Sequence, residues 1–515
     1  MDTNRRTSRI LEPVRLLLLL LVFGVAYTQS PLYTSNQNAY FMRGLASLGV
    51  GQLQQDWVAH TADTVPVFTA LVVFTLKYLH PYAFYLYYLI IIGIYAYSIL
   101  GIASETFNFG RSTSEYLVLW LLIAVIHSAA FKGIGSLLLG INRGWTLETG
   151  LAGQHLLGLV FQPSVFGVFL VVSIYTFLRG RPFLAVVFLS IASLLHSTYL
   201  LCAAILTLAY MLCILREGRN IRKAIAVGAL ALSLVLPIVI YVYISFPVAT
   251  PAIHARFESI FVDWGIPFHA RPSYWFDAFS ALQVAIVIIA LYLLRKTRIF
   301  TLLAVSFLVG LALSVVQIIT GNKTLALMFP WRVSTYLVPI SSCLIIAWLV
   351  SLACERWATW IHSHRKLVKL AIAATALALF ISGLFITYIK FKTAATSGEV
   401  AMMNFVLAHR QVGDVYLIPP NMDRFRIYTG TPVIADMKTH PYQDVQGLEW
   451  YARIQLVQQF YQARDQAACK VLKQAASQYG VNHVIVDSAA PALACDVQKI
   501  YQDAQYTVYK LTTHP

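Results

Sequence analysis

Three side chains in one polar stretch have the types and spacing of a working site. Asp56, His60 and Asp63 stand at i, i+4 and i+7, so a helix there would bring all three to one face. Two carboxylates and an imidazole on one face could ligate a divalent cation such as Mg or Mn, or serve as acid and base. A solvated helix face in a water-side loop would carry the same residues. Trp57 follows Asp56 directly, and Trp prefers the membrane interface. Asp56 is therefore expected near headgroup depth and is the leading candidate for a catalytic base or a metal-bridging carboxylate. Arg332 follows Phe329-Pro330-Trp331 at the start of an apolar run. A guanidinium there could clamp a phosphate, or act as an interfacial anchor; Lys323 and Arg271 are weaker alternatives. His155 and His196 fall near the ends of apolar runs, where ionisable groups are functional candidates, although a neutral His bonded to a carbonyl is the commoner case. Glu148 lies near Arg143 and reads as half of a simple ion pair. Asp436, Lys438, Glu449 and Arg453 could line a polar ligand site, or form a salt-bridge network.

The elements that position these residues follow from composition. The 515 residues are 58% hydrophobic and only 12% charged, about half the charge density of soluble proteins. This excludes a single soluble globular enzyme, a disordered chain and a disulfide scaffold. Apolar runs of about 20 residues recur, as in a polytopic membrane protein. Arg5, Arg6, Arg9 and Arg15 precede the run Leu16–Ala26, expected as an uncleaved first span. Further spans are expected at 66–80, 82–104, 116–131, 157–178, 182–198, 199–215, 224–246, 279–294, 299–319, 330–353 and 367–390. The net charge of +16 sits in short segments between these runs, so it reads as positive-inside topology and not as nucleic-acid binding. Counting between basic clusters places the N-terminus in the cytoplasm. It places the loops 30–65 and 247–278 and the C-terminal residues outside. The count fails to close between Lys132 and residue 141, where Gly133–Gly140 must cross or re-enter. About twelve or thirteen crossings are expected.

Two domains result: a transmembrane domain over 1–390 with those two external loops, and an extracytoplasmic α/β domain over 391–515. The second has short β-rich runs at Val415–Ile418, Pro432–Ala435, His483–Val486 and Tyr506–Leu511. Amphipathic helices are expected at Gly447–Arg464 and Ala467–Tyr479. In the first loop, Asn38–Leu48 reads as a helix lying along the membrane surface. Cys202, Cys213, Cys343 and Cys354 lie in or beside spans and read as packing residues. Cys469 and Cys495 are the cysteines of the soluble domain and are expected to form a disulfide if it faces an oxidising compartment. Two free thiols are the alternative.

Three stretches carry a family resemblance. One is Gly51-Gln-Leu-Gln-Gln-Asp56-Trp57 with Thr64–Phe68. The second is Gln162-Pro-Ser-Val-Phe-Gly167 with Leu194-Leu-His-Ser-Thr-Tyr199. The third is Asp423-Arg-Phe-Arg426, Thr429–Lys438, Pro441 and Glu449-Trp-Tyr-Ala-Arg453. The arrangement resembles the GT-C class of membrane glycosyltransferases, and within it an uncharacterised bacterial family of polytopic proteins. The resemblance covers most of the chain. It implies a multi-pass protein of a bacterial inner membrane, a lipid bilayer as its surroundings, and a polyprenyl-phosphate-linked sugar donor used outside the cytoplasm, with Asp56 as the acidic residue of the first loop.

The expected function is thus an integral-membrane glycosyltransferase. A non-enzymatic transporter or flippase and an envelope assembly protein are the alternatives. The chain has no Walker P-loop, dinucleotide fingerprint, His-Glu-x-x-His or Gly-x-Ser-x-Gly motif.

Overall fold

A computed structural model describes residues 16–107, 113–140 and 145–512. The four N-terminal arginines and Arg143 lie outside the described residues. The chain divides into two compact units. The first takes the chain up to Gln29, Phe84–Ile240 and Glu258–Tyr388; the second takes Ser30–Ala83, Tyr241–Phe257 and the chain from Ile389 onward.

The first unit is built of apolar helices, because a segment surrounded by hydrocarbon must satisfy its own backbone. Among the described residues of the whole chain, six helices are long and apolar enough to cross a membrane: Ala83–Phe107, Ser197–Gly218, Ile221–Ser245, Arg298–Thr320, Lys323–Arg356 and Arg365–Ala395. Glu115–His127 and Ala129–Leu139 form a pair bent by 52°, a seventh span if counted as one. Five shorter apolar helices follow the other runs: Leu16–Tyr27, Pro66–Tyr78, Pro163–Leu178, Pro182–Leu195 and Ala278–Leu294. At about 1.5 Å per residue these fall short of a roughly 30 Å hydrocarbon layer. The expected set of full crossings therefore separates into long spans and shorter apolar helices.

The segment that failed the crossing count is the helix Ala129–Leu139. Ser128 is extended (ψ 147°), and its hydroxyl accepts from Phe131 N. An N-cap in the middle of an apolar run starts a new helix at a new angle. Gly140, at φ 102°, ends it in a conformation that favours glycine.

The second unit carries a four-stranded sheet of order β1-β2-β4-β3, with β1 Tyr416–Leu417, β2 His483–Asp487, β3 Val497–Gln502 and β4 Tyr506–Leu511. β1 runs parallel to β2, and β4 is antiparallel to both β2 and β3, with Ile485 opposite Val508. Met402, Met403 and Val406 from the helix Glu399–His409 pack with Tyr416, Phe425, Ile485 and Val508 to form its core. The helices Asp444–Gln462 and Asp465–Tyr479 lie close to the expected spans. Pro432–Ala435 does not form a strand; it contributes one bridge, Tyr416 to Val433. Residues Asn38–Leu48 are not one surface helix. They break into Gln37–Tyr40 and Met42–Ser47, with Phe41 and Met42 buried.

Candidate functional site

Asp56 does not sit on a helix with His60 and Asp63. It is extended (φ −69°, ψ 130°) between two short 3-10 turns, Leu53–Gln55 and Trp57–His60, and caps the second. Its Oδ1 accepts from Val58 N at 2.9 Å and its Oδ2 from Val433 N at 3.1 Å. Arg426 Nε lies 2.9 Å from the same Oδ2, and Arg426 Nη1 lies 2.7 Å from Asp436 Oδ2. Asp436 Oδ1 accepts from the backbone N–H groups of Lys438 and Thr439. All three side chains are sealed from solvent. Two buried carboxylates around one guanidinium persist because backbone donors take their remaining lone pairs.

Asp56 was expected to be accessible near headgroup depth; instead both its oxygens are engaged and neither faces solvent. The same geometry corrects the trio. His60 is exposed, while Asp63 Oδ1 accepts from Val65 N. Among the described residues no group of three or more His, Cys, Asp and Glu could hold a metal ion. Asp56 ties the first loop to the C-terminal fold within the second unit.

Arg332 presents a different arrangement in the first unit. It lies in the turn Pro330–Val333 that starts the helix Ser334–Arg356. Its Nη1 donates to Thr198 Oγ1 at 2.8 Å. The guanidinium carbon stands 5.5 Å from the Tyr199 ring centre and 5.4 Å from that of Phe329, within cation–π range. The Nε atom is buried without a hydrogen-bond partner among the described residues. Phe329 holds φ 51°, ψ 64°, a left-handed backbone that is strained for an aromatic residue.

The two halves of the second resemblance stretch meet here. Tyr199 donates its hydroxyl to Ser164 O at 2.6 Å. A Cβ on Gly167 would collide with the Tyr199 ring. His196 is buried, edge-on to Tyr199 at 5.5 Å. Thr198 and Tyr199 thus hold Arg332, and Gln162–Gly167 packs against Tyr199. Its chain neighbours Trp331 and Val333 line a small, mostly apolar crevice with Leu151, Val284, Phe307 and Leu337.

The other candidates disperse. Lys323 Nζ binds both oxygens of Asp263 at 2.7 Å, and Arg271 Nη1 lies 3.5 Å from the same carboxylate. Both cations therefore already hold an anion. His155 Nδ1 faces Gly153 O at 3.2 Å. Arg453 pairs with Glu449 at 2.8 Å and is sandwiched between the Trp57 and Tyr479 rings, so these two form a network and not an open site. Cys469 and Cys495 are bonded, with Cα atoms 5.4 Å apart.

The ion pair expected for Glu148 is made with a partner that the sequence reading passed over. Glu148 Oε1 lies 3.1 Å from Lys132 Nζ, with both side chains sealed from solvent. The ammonium rests over Tyr27 at 3.6 Å and Trp145 at 4.0 Å. His127 Nε2 is 4.0 Å from Glu148 Oε2 and 2.9 Å from the Tyr95 hydroxyl. The available signal was a lysine within an apolar run, which needs a partner.

A family model described as a domain of unknown function (DUF6798) matches residues 397–457, the stretch that holds Arg426 and Asp436. A comparison with curated proteins gives no match. Among solved structures, ArnT from Cupriavidus metallidurans bound to undecaprenyl phosphate is similar at 13% identity over 98% of both chains, with a TM-score of 0.47. The apo state of the same ArnT is similar at 13% identity over 98% of both chains, with a TM-score of 0.48. A likeness of that degree carries no conclusion about activity.

Proposed function

We propose that this protein is an integral-membrane glycosyltransferase that uses a polyprenyl-phosphate-linked sugar on the extracytoplasmic side, with Arg332 as the phosphate-binding group. The carrying observation is the buried Nε of Arg332, which has no hydrogen-bond partner among the described residues. With Nη1 held by Thr198, the Nε edge of the guanidinium is left for a phosphate oxygen. When an acceptor hydroxyl displaces the lipid phosphate from the sugar, negative charge grows on the departing oxygen. A preorganised guanidinium stabilises that charge. The extracytoplasmic assignment rests on the distribution of basic residues between the spans, and the bacterial inner membrane on the sequence resemblance.

The test is release of lipid phosphate from labelled polyprenyl-phosphate sugars by purified, reconstituted protein. Arg332→Gln is expected to lower turnover by about 10²–10³-fold, the scale of one lost transition-state donor. Unchanged release would remove Arg332 from the site. Chelation and re-addition of Mg or Mn in the same assay tests the divalent cation expected from the sequence. A lipid transporter or flippase is the second reading, favoured by the broken helix pair and by the Lys132–Glu148 pair within the helical unit. Translocation of the lipid without phosphate release would select it.

A further inference from the structure

We propose that three hairpin ends of the first unit join into one binding face for anionic phospholipids of the surrounding bilayer. The first, 178–182, connects the helices Val168–Leu178 and Pro182–Leu195. The second, 218–221, connects Leu200–Gly218 and Ile221–Ser245, and the third, 294–298, connects Ala278–Leu294 and Arg298–Thr320. Arg298 fastens the three together. Its Nη1 donates to Phe177 O and Leu178 O at 3.2 Å, and its Nε lies 2.7 Å from Glu217 Oε1. Arg216 Nη1 adds a bond to Thr301 Oγ1 at 3.1 Å. Basic segments far apart in sequence are therefore one surface in the fold.

Part of this positive charge has a structural cause. Arg179, Arg216 and Arg295 stand at helix C-terminal ends, where a cation is favoured. Arg179 also pairs with Glu105 at 3.1 Å, and Arg295 bonds Tyr292 O while resting over its ring. The remainder has no such cause. Arg181 precedes the first turn of one helix, and Arg222 and Lys223 occupy the first turn of another, where the helix dipole opposes a cation. Arg181, Arg219, Arg222, Lys223 and Lys296 are exposed, and none makes a side-chain hydrogen bond or ion pair among the described residues. Glu105 and Glu217 are already paired. Like charges gathered on one face repel, and an anion from outside the chain relieves them.

The apolar surface beside these cations selects a lipid over a soluble anion. Ile221 and Ile225 flank Arg222 and Lys223 and are exposed, as are Phe183 after Arg181 and Tyr292 beneath Arg295. Residues four apart share one side of a helix, so Ile221 and Ile225 offer a track for an acyl chain. Lys and Arg clustered beside a membrane-spanning helix hold anionic headgroups, and guanidinium groups bind phosphate oxygens through paired N–H donors. A zwitterionic headgroup brings its own cation and leaves the excess charge in place. This assignment does not depend on the transferase reading.

The test is native mass spectrometry of the full chain in detergent, titrated with cardiolipin, phosphatidylglycerol or phosphatidylcholine. Inorganic phosphate is the competitor. At least one anionic lipid is expected to give saturable adducts where phosphatidylcholine gives none. Two variants on different hairpins are made: Arg222→Gln with Lys223→Gln, and Arg181→Gln with Lys296→Gln. Each is expected to weaken the adducts by about tenfold or more, with unchanged melting temperature. Arg365→Gln with Lys366→Gln and Lys369→Gln, exposed cations at the start of another helix, should leave the adducts intact. Four results would overturn the proposal. They are equal binding of phosphatidylcholine, adducts unaltered in a folded hairpin variant, equal loss in the 365–369 variant, and displacement of the lipid by phosphate at matching concentration.

Discussion

Arg426 Nε stands 2.9 Å from Asp56 Oδ2, joining two residues remote in sequence inside a sealed site that also contains Asp436. Truncating one partner of a buried pair strands the other charge. Asp56→Ala leaves Val58 N and Val433 N without their acceptor and Arg426 with a single carboxylate. A loss of about 3–5 kcal/mol is expected, read as a lowered melting temperature of the full protein. Asp56→Ala combined with Arg426→Met should lose less than the sum of the single variants. Asp56→Asn that melts like the wild type but has no turnover would return Asp56 to catalysis.

Arg332→Lys should behave like a deletion and not like a conservative change. Lysine offers a compact ammonium without the guanidinium plane that rests against Tyr199 and Phe329. It also cannot donate to Thr198 while presenting a separate Nε edge. Binding of a polyprenyl phosphate to nanodisc-embedded protein should weaken roughly tenfold or more, the effect of about 1.4 kcal/mol. Full affinity in the lysine variant would show that charge alone suffices.

The Lys132–Glu148 pair predicts a reciprocal pattern. Glu148→Gln strands an ammonium held between two aromatic rings, so less folded protein should be recovered. Lys132→Met added to Glu148→Gln removes the stranded charge and should restore much of that yield. A double variant that is worse than either single variant would mean the pair itself is needed.

What could be read from residues alone tracks the range of the forces involved. Apolar runs became helices because hydrocarbon demands a self-satisfied backbone. The position of Arg332 was legible because the apolar run after it forms the helix Ser334–Arg356. Asp56 was misplaced because spacing arguments presuppose a helix, whereas its backbone is extended and its partner is distant. A charge embedded between apolar neighbours, as in Phe425-Arg426-Ile427, was the one local hint. β3 was missed because Val497-Gln-Lys-Ile-Tyr-Gln502 is largely exposed and polar, and its strand identity comes from pairing with β4. Pro432–Ala435 had strand composition but only one bridging partner.

His440 should make the second unit sensitive to acid. Burial pushes its imidazole down to about 4, against the opposing influence of the Met437 carbonyl and Asp436; Lys438 adds to the lowering. In the unfolded chain the group titrates near roughly 6.5, so between these values the unfolded state binds more protons. The stabilisation from a neutral His440 is complete above about pH 6.5 and is lost as pH falls toward 4. Asp423 and Glu399, raised by burial, act in the opposite sense, so the comparison must be between wild type and His440→Gln. The variant's melting temperature should fall less over that window. Parallel curves would show that His440 is not the sensor.

Cys469 and Cys495, separated by 26 residues, join the helix Asp465–Tyr479 to the segment preceding β3. Closing a loop of that size contributes roughly 3 kcal/mol in the chain-entropy model. Cys469→Ser with Cys495→Ser should lower the melting temperature accordingly. The same pair reports topology, since reducing compartments keep thiols free. Protein taken from membranes in excess alkylating agent should show both sulfurs blocked until a reductant is added. Cys202, Cys213 and Cys343 are buried, so labelling after denaturation supplies the full count. If Cys469 and Cys495 are both alkylated without reductant, the C-terminal residues do not face an oxidising compartment. The extracytoplasmic assignment, and with it a donor used on that side, would then fall.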